Sequence, residues 1–342
     1  MAANRYAIAT GNYSNPAIWN GGLGVPASDD TVRPNGFTVT IDTNITAALL
    51  TNNASSPAAA GGGFQVTSTG TISITANIES RVNGHVLRVL GVGSTVNVVG
   101  TLKQLTSLSG AVVTYCVSVE VTCTFTHTGN ATGGLNNVNY GPSTGCLRFA
   151  AGNSTVSLTG AYTGGSSQAL TPNPAVYVES GSPTITVNGS VIGGGTSLNY
   201  GVWIASTTAY LIVNGTISAS VAAPAIHVVS VGSIPMLVSG QINNVNGNNA
   251  IFAPTIKLLK DASTIWTYQT NDSLSNEVMY TADELTGYPP ENKVENGEVY
   301  GPANEFVGTL DPVTISTGQI SDISNAIASH ITPQVLAAVT QP

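Results

Sequence analysis

Apolar and polar residues alternate in short bursts down the middle of this chain, and the bursts break at glycines. The phrase runs Val96-Asn97-Val98-Val99-Gly100-Thr101-Leu102, then Val156-Ser157-Leu158-Thr159-Gly160. It returns as Ile185-Thr186-Val187-Asn188-Gly189-Ser190-Val191, Leu211-Ile212-Val213-Asn214-Gly215-Thr216-Ile217 and Leu237-Val238-Ser239-Gly240-Gln241-Ile242. Gly70 and Gly129 sit in looser copies, and the seven glycines are 30, 29, 31, 29, 26 and 25 residues apart. Alternation with a period of two predicts strands with one buried face. Short strands recurring at a steady spacing of this size predict a solenoid whose turns stack on one another.

A second strand series lies between the glycine phrases, at 85–90, 111–115, 146–149, 175–178, 201–204, 225–229 and 250–252. Two phase-locked series joined by Gly, Ser and Asn turns predict an all-β fold, a right-handed single-stranded parallel β-helix. A sandwich gives no reason for a steady period. The glycines are expected at repeated corners, where a tight turn or a positive φ suits a residue without a side chain. Asn188 and Asn214, just before Gly189 and Gly215, fit the same turn chemistry.

Three regions follow. Residues 1–55 are expected to form an N-terminal β cap or attachment region, with a turn at Pro34-Asn35-Gly36 and Trp19 large enough to cover an open core end. An ordinary packing role for Trp19 is the alternative. Residues 56–268 are the parallel β-helix, and Trp266 is a second candidate cap near its end. Residues 269–342 are an acidic region for attachment or oligomerisation. There Ile320, Ile323, Ile327 and Ile331 recur at spacings of three and four, predicting a short amphipathic helix. Thr332-Pro333 reads as the start of another helix, which carries Leu336. These five residues are the expected oligomer or docking contacts. Loops at 130–145 and 163–174 are expected to project from the coils.

Charge sharpens this division. Charged residues make up 8% of the chain, against about 25% in an ordinary globular protein. The net charge of −8 belongs almost wholly to the tail, because residues 261–342 hold eleven acids and one base, Lys293. No basic stripe is present to neutralise phosphates, so direct nucleic-acid binding is not expected. No apolar run of eighteen residues predicts a membrane span, and the first residues lack a secretory-signal pattern.

Candidate chemistry is sparse. The four histidines, His85, His127, His227 and His330, are dispersed, with no metal-ligand spacing and no cofactor motif. Cys116, Cys123 and Cys146 are expected as buried free thiols. Glycoside cleavage needs two carboxylates about 5–9.5 Å apart. Glu79, Glu120 and Glu179 lie 41 and 59 residues apart, which does not match neighbouring coils. Catalysis is therefore not expected, although aromatic groups could bind sugar without cutting it. Tyr200, Trp203 and Tyr210 are the first candidates for glycan contact.

Two stretches carry a family resemblance. The opening, Ala9-Thr10-Gly11-Asn12-Tyr13-Ser14-Asn15-Pro16-Ala17-Ile18-Trp19-Asn20-Gly21-Gly22 through Asn35 to Asp42, resembles the start of β-helical virion proteins of tailed bacteriophages. Gly297-Glu298-Val299-Tyr300-Gly301-Pro302-Ala303-Asn304-Glu305-Phe306-Val307-Gly308-Thr309-Leu310 resembles a short module near the ends of phage head-fibre and related structural proteins. Together they cover about one sixth of the chain. The resemblance implies a non-enzymatic protein, often a homotrimer, made in the host cytoplasm and mounted on the virion. Its partner would be the major capsid protein or another virion protein. A capsid decoration, cement or head-fibre role leads; a tail fibre or tailspike component that binds host glycans is the alternative.

Overall fold

The computed structural model describes residues 3–20, 24–52, 63–81, 84–104, 114–134, 144–165, 173–195, 199–206, 208–221, 223–229 and 234–243. Beyond these it describes 251–252, 256–260, 265–267, 278–281, 299–300 and 306–307. The chain divides into two units, 1–282 and 283–342.

The first unit is a parallel β-solenoid. Period-two alternation gives each strand one buried and one outward face, as in Thr155–Thr163, where Val156 and Leu158 point inward and Thr155, Ser157 and Thr159 outward. Each phrase then pairs with the next, in register. Val96 lies beside Phe125, Phe125 beside Val156, Val156 beside Ile185, and Ile185 beside Leu211. Burying such an aliphatic side chain contributes about 1.5–3 kcal/mol. A single core cluster runs from Ala7 to Ile251.

Among the described residues of the first unit the strands form a fifteen-stranded and a ten-stranded sheet. The larger begins with Asn4–Tyr6, Thr31–Arg33, Ile45–Thr51 and Thr71–Ser80, continues through the glycine phrases, and reaches Ile256–Lys260 and Val278–Thr281. The smaller runs from Gly11–Asn12 and Thr38–Thr40 through Leu87–Val89, Thr144–Phe149 and Val202–Ile204 to Ile251–Phe252. From Leu87–Val89 onward its strands are the second series expected from the sequence, preceded by three that the series did not include, and both sheets pair in parallel.

The opening residues are coils of this same stack, since Asn4–Tyr6 pairs with Thr31–Arg33 and Gly11–Asn12 with Thr38–Thr40, all parallel. The expected turn is present, with Asn35 and Gly36 at φ of 51° and 88° and Phe37 N–H donating to Pro34 O at 2.9 Å. Successive N–H groups of a strand point to opposite sides. Ala7 donates to Arg33 O of the next coil, whereas Ile8 donates to Ile18 O at 2.8 Å and Tyr6 to Asn20 Oδ1 at 2.9 Å. Residues 18–20 therefore lie along the side of the first coil that the second coil does not use. Trp19 is buried there, with its Nε1–H donating to Tyr13 O at 3.0 Å.

Trp266 lies in Ile265–Thr267, where it pairs with Ile242. In the second unit Val299–Tyr300 and Phe306–Val307 form an antiparallel pair, both within the module that carries the resemblance. Ile320, Ile323, Ile327, Ile331 and Leu336, with the helices expected there, lie outside the described residues. So do residues 135–143 and 166–172, the greater part of the two loops expected to project.

Candidate functional site

The glycines form a ladder. Gly100, Gly129, Gly160, Gly189 and Gly215 have φ between 139° and 150°, a region that side chains rarely adopt. They also stack. A Cβ on Gly129 would stand 2.0 Å from Gly100 O, one on Gly160 2.1 Å from Gly129 O, and one on Gly215 2.0 Å from Gly189 O. Gly240 pairs with Gly215 in register. In the later coils the glycine lies inside one continuous strand, Thr155–Thr163 or Thr184–Ile192, and bends it. Gly70 does not belong to the ladder. Thr71 pairs with Thr95, so Ala76 rather than Gly70 lies beneath Gly100, and a Cβ at Gly70 would touch Ser68 Oγ at an ordinary 3.4 Å.

The outward face before this bend is a regular array. In register, Thr71, Thr95, Thr124, Thr155 and Thr184 form one column of five threonines. Two residues on, the column reads Ser73, Asn97, Thr126, Ser157 and Thr186; the third reads Thr75, Val99, Thr128, Thr159 and Asn188. Ten of these fifteen positions are threonine and none is charged. The third column is exposed and the middle one half-buried. Tyr210 and Ile212 occupy the next rung and end the array.

The outward face of the smaller sheet has a different character. Its central column reads Gln65, Arg88, Ser118, Arg148, Tyr177, Trp203 and His227. Arg88 reaches across to the next coil and grips Glu120 with both ends, at 2.9 and 2.6 Å, which holds the Glu120 carboxyl below its ordinary range. Arg148 also reaches the next coil, donating through one terminal nitrogen to Glu179 and through the other to Ser118 Oγ at 3.3 Å, and lies 5.9 Å over the Tyr115 ring. Tyr177 and Trp203 stack at 4.6 Å. A cleft of about 170 Å³ opens between Thr38, Gln65, His85 and Arg88, smaller than the ~300–1,000 Å³ typical of ligand pockets. Burial, helped by the Arg148 charge, pushes His85 down to about 4, so its ring is neutral at pH 7.

The three expected glycan contacts are not gathered into one surface. Trp203 is half-buried on the smaller sheet, Tyr200 is buried against His227 at 4.4 Å, and Tyr210 stands on the larger sheet. Inside the stack, His127 Nε2 lies 2.9 Å from Gly100 O and Nδ1 lies 2.6 Å from Tyr162 Oη. A carbonyl can only accept, so Nε2 carries the proton and Nδ1 accepts from the tyrosine. Burial pushes His127 down to about 4. Cys116, Cys123 and Cys146 are buried free thiols, as expected, and burial pushes the Cys146 thiol up.

The described carboxylates face partners rather than each other. Glu79 pairs with Arg81, Asp30 accepts from the Ala3 and Ala27 amides, and Asp42 accepts from the Ser14 amide at 3.0 Å. Among the described residues no three His, Cys, Asp or Glu are grouped to hold a metal ion. Sequence reasoning missed the threonine array, whose signal is a threonine opening each phrase once phrases are aligned by register instead of by glycine. Comparison with family models, with curated proteins and with solved structures finds no match.

Proposed function

We propose that this chain is a non-enzymatic structural protein of a tailed-phage virion, displayed on the particle surface as a capsid decoration, cement or head-fibre protein. The observation that carries the reading is the in-register parallel stack, in which backbone ladders join successive coils, reinforced by the glycines stacked from Gly100 to Gly215 and by two Arg–Glu clasps. Such a unit serves by rigidity. The carboxylates described above are engaged in structural contacts, which leaves hydrolytic chemistry without support. The stack is right-handed in this reading, the hand of about 98% of strand–crossover–parallel-strand connections. Trp19 closes its first coil, and the 320–336 region supplies contacts between three copies or to the capsid. A cement protein that binds only the assembled shell stabilises it by mass action.

A tail fibre that grips host glycans has less support. Trp203 spends one ring face on Tyr177, and Tyr200 is buried. The test is purification of intact particles followed by mass spectrometry and density mapping. Many copies on the shell, and particles lacking the protein that release their genome at lower temperature, are the expected results. Absence from purified particles overturns the proposal, and a stable monomer at micromolar concentration overturns the trimer.

A further inference from the structure

The geometry points to the threonine array on the larger sheet as an ice-binding face, one that adsorbs to the lattice of frozen water. This inference stands on the array alone and does not depend on the virion reading. The rungs lie about 4.8 Å apart along the stack, and alternate residues lie about 6.6–6.8 Å apart across it. Five rungs and three columns stay in register without a bulge. The result is a grid that repeats in two directions.

Threonine suits such a grid. Its β-branched side chain is stiff at χ1, so hydroxyl and methyl are both held in place and little rotamer freedom remains to be lost on adsorption. Strand propensity does not explain the pattern, because the equivalent outward column of the smaller sheet holds Arg88, Arg148, Tyr177 and Trp203 and no threonine from Gln65 to His227.

The occupant follows from what the face lacks and from its size. With no charged residue among its fifteen positions it has nothing to offer a phosphate, an acidic peptide or a basic one. With no aromatic ring among them it has no platform for a sugar. The grid covers about 500 Å² at these spacings, below the ~800 Å² per partner of a stable protein interface, so a second copy is a poor fit. A ligand that itself repeats in two directions matches, and the oxygen rows of ice repeat at comparable intervals. Hydroxyls anchor the ordered water and methyls fit between its cages.

The experiment uses the full chain. Purified protein is offered to a slowly growing ice hemisphere, and recrystallisation of small ice grains is followed at micromolar concentration. Wild-type protein is expected to enter the ice and keep the grains small. Thr155→Lys, at an exposed position in the five-threonine column, is expected to lower the ice-bound fraction at least about ten-fold, because a charge placed against a neutral lattice costs well over 1.4 kcal/mol. Val92→Lys, on a turn where Val92 is 64% exposed, is expected to behave as wild type. Circular dichroism and melting of each variant confirm that the fold is kept. Exclusion of the wild type from ice overturns the inference. So does unchanged behaviour of well-folded Thr155→Lys, or retention on insoluble cellulose or chitin without entry into ice.

Discussion

Replacing Gly160 with alanine tests the glycine ladder most directly. At a φ of 139° an alanine is held where only glycine is comfortable, at a cost of about 1–3 kcal/mol. Its Cβ would also stand 2.1 Å from Gly129 O and 2.7 Å from the carbonyl carbon. Those atoms are backbone, fixed by the coil beneath, so relief requires parting two coils. Overpacking of this kind costs about 1–3 kcal/mol more. The two together give about 2–6 kcal/mol, against the ~5–15 kcal/mol that holds a typical folded domain. Urea titration should register the loss as a lower midpoint. Hydrogen exchange should place it in the coils carrying Gly129, Gly160 and Gly189, because solenoid coils interact mainly with their neighbours. Gly70→Ala is the control: its Cβ meets only Ser68 Oγ at 3.4 Å, and a change within about 0.5 kcal/mol is expected. If Gly160→Ala and Gly70→Ala unfold at the same urea concentration, the ladder does not constrain the stack and the reasoning fails.

Three further outcomes are expected. His127 is held near 4, below its unfolded value of about 6.5, so its contribution is intact above pH 6.5 and is lost as pH falls toward 4. The loss reaches about 3 kcal/mol; His85 and His227, held near 4 by burial as well, titrate over the same window, so stability measured against pH should show their summed slope and His127→Gln should remove the His127 share of it. Arg148→Ala removes the Glu179 pair and the contact over Tyr115, and the urea midpoint should report about 1 kcal/mol. All three thiols are buried, so a thiol reagent should titrate none in the native protein and three after denaturation.

The fold was legible because a solenoid writes the same instruction many times. Val156, Ile185 and Leu211 announce one inward row, and Val176, Val202 and Ile226 another, so no single ambiguous strand could mislead. Glycine proved a less reliable marker than alternation. Gly70 fits the spacing, yet the true copy of the phrase is Ile72-Ser73-Ile74-Thr75-Ala76-Asn77-Ile78, with alanine in the glycine slot. Ala76 is outside the positive-φ region, so the bend begins one coil later, at Gly100. The array was hidden for a related reason. A column of threonines exists only after register is known, and coils of unequal length scatter its members along the sequence. The Arg88–Glu120 and Arg148–Glu179 clasps join residues 32 and 31 apart and were equally invisible.

That inequality has a consequence of its own. From Thr71 through Thr95, Thr124, Thr155 and Thr184 to Tyr210 the chain takes 24, 29, 31, 29 and 26 residues per circuit, yet returns each time to the same column, one rung further on. The register of the described strands is the same whether a circuit is long or short. The scaffold thus separates two design variables that compact domains entangle. The number of residues between strands can rise or fall while the lattice of strands stays constant, and because solenoid coils interact mainly with their neighbours a whole circuit can be added or removed with little change elsewhere.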